Sequence, residues 1–122
     1  MLIREMASAK SEKFGKRHRI TRRMRFEQIY RSGRKVQNEH FRIYFKCEES
    51  EAPQLGIAVT KRVGKAVVRN RLKRQIREWF RTHKATLDGM ALIVQAKPPA
   101  ASLEYEGVVD ALNRLILTAN RR

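Results

Sequence analysis

The apolar run MALIVQA, residues 90–96, constrains the fold more than any other stretch of this chain. A strand with one solvated face alternates apolar and polar residues, whereas a nearly continuous apolar run of this length is typical of a strand covered on both sides. We therefore expect residues 90–96 to form a central or parallel strand of a sheet. Pro98 and Pro99 end the run, because proline cannot donate a ladder hydrogen bond.

A second strand is predicted at FRIYFKC, residues 41–47, where apolar side chains alternate with Arg42, Tyr44 and Lys46. Since successive side chains of a strand point to opposite faces, one face should be buried. The other face should then carry two cations and an aromatic ring.

Two further segments have strand character. In LGIAVT, residues 55–60, the larger apolar side chains share one face, and the small Gly56 and Ala58 lie on the other face. RKVQ, residues 34–37, predicts a short strand that is followed by a turn around Asn38. The small residues at 56 and 58 would leave a shallow groove beside Tyr44.

The first and last parts of the fold are predicted to be helical. Residues 21–32 should form a short helix, with Thr21 as its cap, Gly33 as its stop and an apolar face that consists of Phe26, Ile29 and Tyr30. After Ser102, a plausible cap, an apolar stripe predicts an amphipathic helix that packs on the sheet. The stripe consists of Tyr105, Val108, Val109, Leu112, Leu115 and Ile116.

The segment GKAVVRNRLKRQIREWFR, residues 64–81, predicts a helix with two sharply different faces. The apolar arc consists of Val68, Leu72, Ile76, Trp79 and Phe80. The opposite, cationic arc consists of Asn70, Lys73, Arg74, Arg77 and Arg81. Burial of the apolar arc would display the cations as a rigid row at helical pitch. Glu78 is the only acid of the segment, so the row repels itself unless an anion binds it.

The overall charge points to an anionic partner. Lys and Arg number 28 against 12 Asp and Glu, which gives a formal net charge of +16, and the usual partners of such a domain are nucleic acids or anionic membrane surfaces. Membrane binding is disfavoured because no basic helix has a free apolar face. The sequence also has no apolar run of about 20 residues and no secretory signal, so we expect a cytoplasmic protein.

The pattern favours a binder of single-stranded nucleic acid over a DNA reader of the usual kinds. No helix-turn-helix pair, zinc finger or basic zipper is visible in the sequence. Tyr44 between Arg42 and Lys46 offers a stacking ring flanked by phosphate partners. Phe26 and Tyr30 could supply a second wall, although both could instead be ordinary core residues, and for Phe26 the two interpretations are evenly balanced. No HExxH, GxSxG or P-loop pattern and no zinc-ligand spacing occurs, so we expect no catalytic residue and no metal site in the protein.

The segment TKRVGKAVVRNRLKRQIREWFR, residues 60–81, closely resembles the signature of the bacterial ribonuclease P protein subunit family. The resemblance extends from HRITRRMRFEQIYRSGRK through NEHFRIYF, LGIAVTKRVG and LIVQAKPPA to the last helix. It implies an α+β fold of α-β-β-β-α-β-α order, like domain 2 of ribosomal protein S5, with a left-handed βαβ crossover. It places one RNA-binding domain at residues 16–122. Residues 1–15 have no sustained hydrophobic period and are expected to form a mobile tail, which departs from the family pattern.

The resemblance also implies a function. In that family, one copy of the protein binds one large catalytic RNA. The RNA removes the 5′ leader of precursor tRNA and requires Mg²⁺ at its phosphates. Carried over to this chain, the residues that face the catalytic RNA are Lys61, Arg62, Lys65, Arg69, Asn70, Arg71, Lys73, Arg74, Arg77 and Arg81. The leader would lie in a cleft formed by Phe26, Tyr30, Arg42, Tyr44 and Lys46. The alternative is a structural ribosomal or RNA-assembly protein with no role in cleavage.

Overall fold

A computed structural model describes residues 23–47 and 52–120. The helices and strands are α1 (Arg23–Ser32), β1 (Arg34–Gln37), β2 (Phe41–Cys47), β3 (Gln54–Ala58), α2 (Ala66–Thr82), β4 (Met90–Ala96) and α3 (Tyr105–Asn120). Two short 3₁₀ helices, Lys84–Leu87 and Pro98–Ser102, flank β4 in sequence. This order confirms the predicted α-β-β-β-α-β-α arrangement. The predicted tail at residues 1–15 and the predicted cap Thr21 lie outside the described residues.

The four strands form one mixed sheet in the order β1, β2, β4, β3. The apolar strand β4 is central, as predicted: it pairs antiparallel with β2 and parallel with β3. The parallel pair requires a crossover connection, and α2 lies within it. The architecture is consistent with the likeness to domain 2 of ribosomal protein S5, while the left-handed sense of the crossover stays a prediction.

The main core lies between one face of the sheet and the helices α2 and α3. From the sheet it contains, among others, Phe41, Ile43, Phe45, Leu55, Ile57, Leu92 and Val94. The predicted apolar arc of α2 is confirmed, since Leu72, Ile76, Trp79 and Phe80 are buried and Val68 packs against this core. The Trp79 indole Nε1 donates a hydrogen bond to Asn113 Oδ1 of α3 at 2.9 Å, which satisfies the polar end of the ring.

A smaller core lies on the opposite face of the sheet, beneath α1. Ile29 of α1 is completely buried there together with Ala91 and Ile93 of β4. Phe26, Tyr30 and Tyr44 pack against this cluster but stay partly exposed. The sheet therefore separates two helical layers, with α1 on one side and α2 with α3 on the other.

Some predicted boundaries are wrong by a few residues. Strand β3 begins at Gln54 and ends at Ala58, and α2 begins at Ala66 because Lys65 still has an extended backbone, with φ −67° and ψ 167°. Ser102 does not cap the last helix: its hydroxyl donates to the carbonyl of Pro99, within the 3₁₀ helix, and α3 begins only at Tyr105. The two prolines favour this extra turn, which the cap prediction did not include.

We expect Gly33→Ala to lower the free energy of unfolding by about 1–3 kcal/mol. A Cβ atom at this position would lie 2.5 Å from the carbonyl oxygen of Ile29 and 2.6 Å from that of Phe45. Both are backbone atoms, so relief requires a shift of α1 against β2. Urea denaturation measures the effect. Gly107→Ala in α3 is the matched control, because its Cβ would meet mainly the flexible Leu103 side chain. Equal midpoints for Gly33→Ala and the wild type would contradict this account.

Candidate nucleic-acid interface

Three aromatic rings line a cleft between α1 and the sheet. The rings of Tyr30 and Tyr44 meet edge to face with centroids 4.7 Å apart, and the Phe26 ring lies 6.3 Å from Tyr30. The structure thus brings together the three aromatic residues that the sequence predicted for the cleft. All three are half-buried, so they serve both the small core and an accessible surface.

Gly56 shapes the floor of this cleft. A Cβ atom at Gly56 would lie 2.9 Å from Cζ of Phe26, so the Phe26 ring packs directly on the glycine. The groove expected above Gly56 is therefore occupied by Phe26, and the open part lies farther along the sheet, near Ala58. Phe26 is partly a core residue and partly a wall of the cleft.

Hydrogen bonds fix the polar part of the cleft. Gln95 Nε2 donates to the Tyr30 hydroxyl oxygen at 3.2 Å, and an Arg42 guanidinium nitrogen, Nη1, donates to Gln95 Oε1 at 3.4 Å. Arg42 Nε also donates to Gln37 Oε1 at 3.3 Å. Burial raises the pKa of Tyr30, against the lowering effect of the Gln95 hydrogen bond. The phenol therefore keeps its proton at neutral pH and has an O–H to donate.

An open pocket of about 550 Å³ continues the cleft. It lies at the carboxyl ends of the parallel strands β3 and β4, where ligands of sheets with parallel strands commonly bind. Its lining consists of Glu39, Arg42, Ala58, Thr60, Arg62, Gln95, Ala96, Lys97, Pro98 and Pro99. Three cations and one acid make the lining electropositive, which suits a phosphate group.

Lys97 is a pocket residue that the sequence reasoning missed. Its ammonium donates to Gln37 Oε1 at 2.6 Å and to the carbonyl oxygen of Asn38 at 2.7 Å. Desolvation lowers the pKa of Lys97, and the nearby charges of Arg42 and Lys35 lower it further. The sequence did contain a signal for this position. Lys97 follows Ile93 and Gln95 at steps of two, so strand alternation places it on the same face of the sheet as the cleft.

Lys46 stands apart from this pocket. It shares a face of β2 with Arg42 and Tyr44, but it pairs across the sheet with Ala91, at the opposite end of the strand from Arg42 and its partner Gln95. Of the five predicted leader-binding residues, Arg42, Tyr44 and Lys46 therefore form a line along one face of β2, with Lys46 at its far end. Phe26 and Tyr30 lie on α1, which packs on that face.

The predicted cationic surface of α2 is only partly exposed. Lys61, Arg62, Lys65, Asn70 and Arg74 are exposed. Lys73 and Arg77 are half-buried, and Arg77 Nε donates to the carbonyl oxygen of Lys73 at 3.3 Å. Arg81 forms an ion pair with Glu78 on the same helix, and the hydrogen bond to that carboxylate raises the pKa of Arg81.

The two arginines of the Arg-Asn-Arg motif contact the protein's own backbone. Arg69 Nε donates to the carbonyl oxygen of Gly64 at 3.1 Å, and Arg71 Nη2 donates to that of Ala101 at 2.5 Å. Asn70 between them is exposed. Their predicted contacts with RNA stay predictions, but each arginine clearly has an intramolecular role as well.

Comparisons with known proteins agree on one family. The family model described as Ribonuclease P matches residues 14–120. The Ribonuclease P protein component of Staphylococcus epidermidis is 37% identical over 105 residues, which is 85% of this chain and 91% of the relative. The chain belongs to the ribonuclease P protein family. The resemblance seen in the Arg-Asn-Arg signature is thereby confirmed.

Solved structures of the family have the same fold. The Staphylococcus aureus RNase P protein matches with a TM-score of 0.77 and 35% identity, covering 84% of this chain and 94% of that one. The Thermotoga maritima RNase P protein matches with a TM-score of 0.74 and 31% identity, covering 82% and 96%. These matches confirm the predicted α+β fold class.

Membership of the family establishes the general role. Ribonuclease P is a tRNA-processing endoribonuclease whose catalytic part is its RNA, and this chain is of the kind that forms its protein component. Within residues 23–47 and 52–120, no helix is long and apolar enough to cross a membrane. The same residues contain no group of three or more His, Cys, Asp or Glu side chains placed to hold a metal ion.

Proposed function

We propose that this protein binds the catalytic RNA of ribonuclease P through α2 and the segment before it, and holds the 5′ leader of precursor tRNA in the cleft between α1 and the sheet. The observation that carries the proposal is the half-buried Tyr30–Tyr44 pair beside an electropositive pocket. A single-stranded nucleic acid is typically held by such a combination of stacking rings and phosphate-binding cations.

The arrangement of the two surfaces supports this division of roles. Helix α1 and the cleft lie on one face of the sheet, and α2 packs on the other. The protein therefore has room for two different RNA segments. The exposed Lys61, Lys65 and Arg74 serve the large RNA, because cations fixed on a rigid frame bind several phosphates together.

In the proposed mechanism the protein binds and aligns the RNAs and contributes no reactive group. The RNA performs the cleavage, with Mg²⁺ held at RNA phosphates. Arginine and lysine side chains reduce the repulsion between phosphates of the two RNAs. The cleft raises the affinity for precursor over mature tRNA, because only the precursor has a leader to fill it. The setting of this activity is the cytoplasm, with neither DNA nor a membrane as partner.

We expect Tyr44→Ala to narrow the preference for precursor over mature tRNA by about 1–3 kcal/mol, the usual contribution of a stacked base. Binding of both tRNAs to the reconstituted holoenzyme measures it. Tyr44→Phe retains the ring and should retain the preference, and Tyr105→Ala removes a half-buried tyrosine from α3, away from the cleft. An equal loss of affinity for leader-bearing and leaderless tRNA in Tyr44→Ala would refute the cleft assignment.

The alternative of a structural ribosomal or assembly protein has a direct test. The protein is copurified from cells and the bound RNA is sequenced. The proposal predicts recovery of the ribonuclease P RNA, whereas recovery of ribosomal RNA alone would overturn it.

A further inference from the structure

Two backbone segments form walls of the pocket at the carboxyl ends of β3 and β4. The connection from β3 to α2 contributes Thr60 and Arg62. The 3₁₀ helix that follows β4 contributes Pro98 and Pro99. A shift of either wall would change the shape of the pocket.

Each wall is bound to α2 by one arginine of the Arg-Asn-Arg motif. Arg69 donates to Gly64 O, in the turn that joins the first wall to α2, and Arg71 donates to Ala101 O, in the 3₁₀ helix that contributes the second wall. Hydrogen bonds from a charged guanidinium are roughly twice as strong as those between neutral groups. Helix α2 therefore contacts both segments through these two arginines.

The internal hydrogen bonds of the walls are local. In the first wall the amides of Val63 and Gly64 donate to Thr60 and Lys61, at 3.0 and 3.2 Å. In the second, Ala100 donates to the carbonyl of Lys97 at 2.8 Å, while Pro98 and Pro99 have no N–H to donate. Such bonds shape each turn but do not set the distance between the turns. The parallel pairing of Ala58 with Gln95 fixes where the two turns leave the sheet, and the arginine contacts add a tie from each turn to α2.

The environment of Arg71 marks it as part of the interior structure. Its Nε is buried and has no hydrogen-bond partner within residues 23–47 and 52–120. An arginine used only for RNA would keep this atom in solvent, as the exposed Arg74 on the next turn of the helix does with its side chain. Arg71 as a whole is half-buried, and its Nη2 contact with the carbonyl of Ala101 offsets part of the cost of burying Nε without a partner, which fits a role in fixing the wall.

We propose that Arg69 and Arg71 are positioning residues for the leader pocket. They fix its two walls so that Arg42 and Lys97, together with Arg62 from the segment otherwise assigned to the catalytic RNA, direct their charges toward one phosphate of a single-stranded RNA. The motif thus links the helix that binds the catalytic RNA to the pocket that selects precursor tRNA. This inference rests on the proposed function, because it requires that the pocket receives the leader.

The test compares Arg71→Met with Arg74→Met in the reconstituted holoenzyme. Both remove one positive charge from the same helix, but only Arg71 contacts a pocket wall. The measurements are the ratio of the affinities for precursor and mature tRNA and the salt dependence of catalytic-RNA binding. We expect Arg71→Met to reduce the ratio at least about threefold, since small displacements in a binding site are costly. Arg74→Met should keep the ratio and reduce the salt slope by about one unit.

Two further variants make the result specific. Arg71→Lys retains a donor that can reach the carbonyl of Ala101, and it should restore part of the ratio. Arg69→Met moves the opposite wall and should reproduce the defect of Arg71→Met. If Arg71→Met is unfolded at the assay temperature, as circular dichroism would show, Arg69→Met provides the same test.

The measurements distinguish a failure of this inference from a failure of the proposed function. If Tyr44→Ala narrows the precursor preference and neither Arg69→Met nor Arg71→Met does, the positioning role is refuted and the proposed function stands. If Arg71→Met behaves like Arg74→Met, the arginine is an ordinary phosphate contact. If the wild-type holoenzyme shows no leader-dependent preference, both proposals fall.

Discussion

Changing Lys61, Lys65 and Arg74 together to glutamine should reduce the salt dependence of catalytic-RNA binding by about two to three units in the slope of log affinity against log salt. The three side chains are exposed and lie on or just before α2. Each phosphate contact that a cation makes releases condensed counterions, so three lost contacts change the slope by nearly three units. Filter binding of the catalytic RNA over a range of salt concentrations measures this effect.

The control for this prediction is Arg114→Gln. Arg114 is an exposed arginine of α3 and forms an ion pair with Asp110, with Nε 3.3 Å from the carboxylate oxygen. It lies outside the proposed interface, so its removal should leave the slope unchanged. If removal of Arg114 reduced the slope as much as removal of one of the three interface cations, diffuse charge and not a defined surface would explain the binding.

The second large effect is expected for Trp79→Ala, which should lower the free energy of unfolding by about 3–5 kcal/mol. Trp79 is completely buried between α2, α3 and the sheet. The substitution leaves a cavity and removes the donor to Asn113 Oδ1. Denaturation by urea, with sulfate present to reduce charge repulsion, measures the loss.

Two variants separate the components of this loss. Trp79→Phe retains an aromatic ring but has no N–H, so it should cost less than Trp79→Ala while still leaving Asn113 without its donor. Val67→Ala changes a residue of the same helix that is 78% exposed and should be nearly neutral. A Trp79→Ala variant as stable as Val67→Ala would show that the core is not centred where the structure places it.

The fold was largely predictable because burial imposes a period on the sequence. The uninterrupted apolar run of β4 indicated a strand covered on both faces, and α1 and α2 do cover the sheet from opposite sides. The alternation in β2 placed Tyr44 on the cleft face correctly. Periodicity could not locate the start of α3 near Ser102, because the same residues around Ser102 fit both a 3₁₀ turn and a helix cap.

The site was less predictable, because its decisive contacts join distant segments and involve backbone atoms. The carbonyl oxygen that Arg71 binds belongs to Ala101, and any residue type would offer the same acceptor. Lys97 is held at the pocket by hydrogen bonds to Gln37 and Asn38, and the register of strands β1, β2 and β4 brings these residues close to it. Periodicity identifies which face a residue occupies, but it contains no information on such partners.

The strand order β1, β2, β4, β3 affects how the chain folds as it leaves the ribosome. The hairpin of β1 and β2 can form early, but within the described sheet β3 pairs only with β4. Until translation has passed residue 96, β3 therefore has no neighbour, and an isolated two-stranded hairpin is marginally stable. Because the central strand is the last of the four in sequence, the described sheet can be completed only after residue 96 has been synthesised.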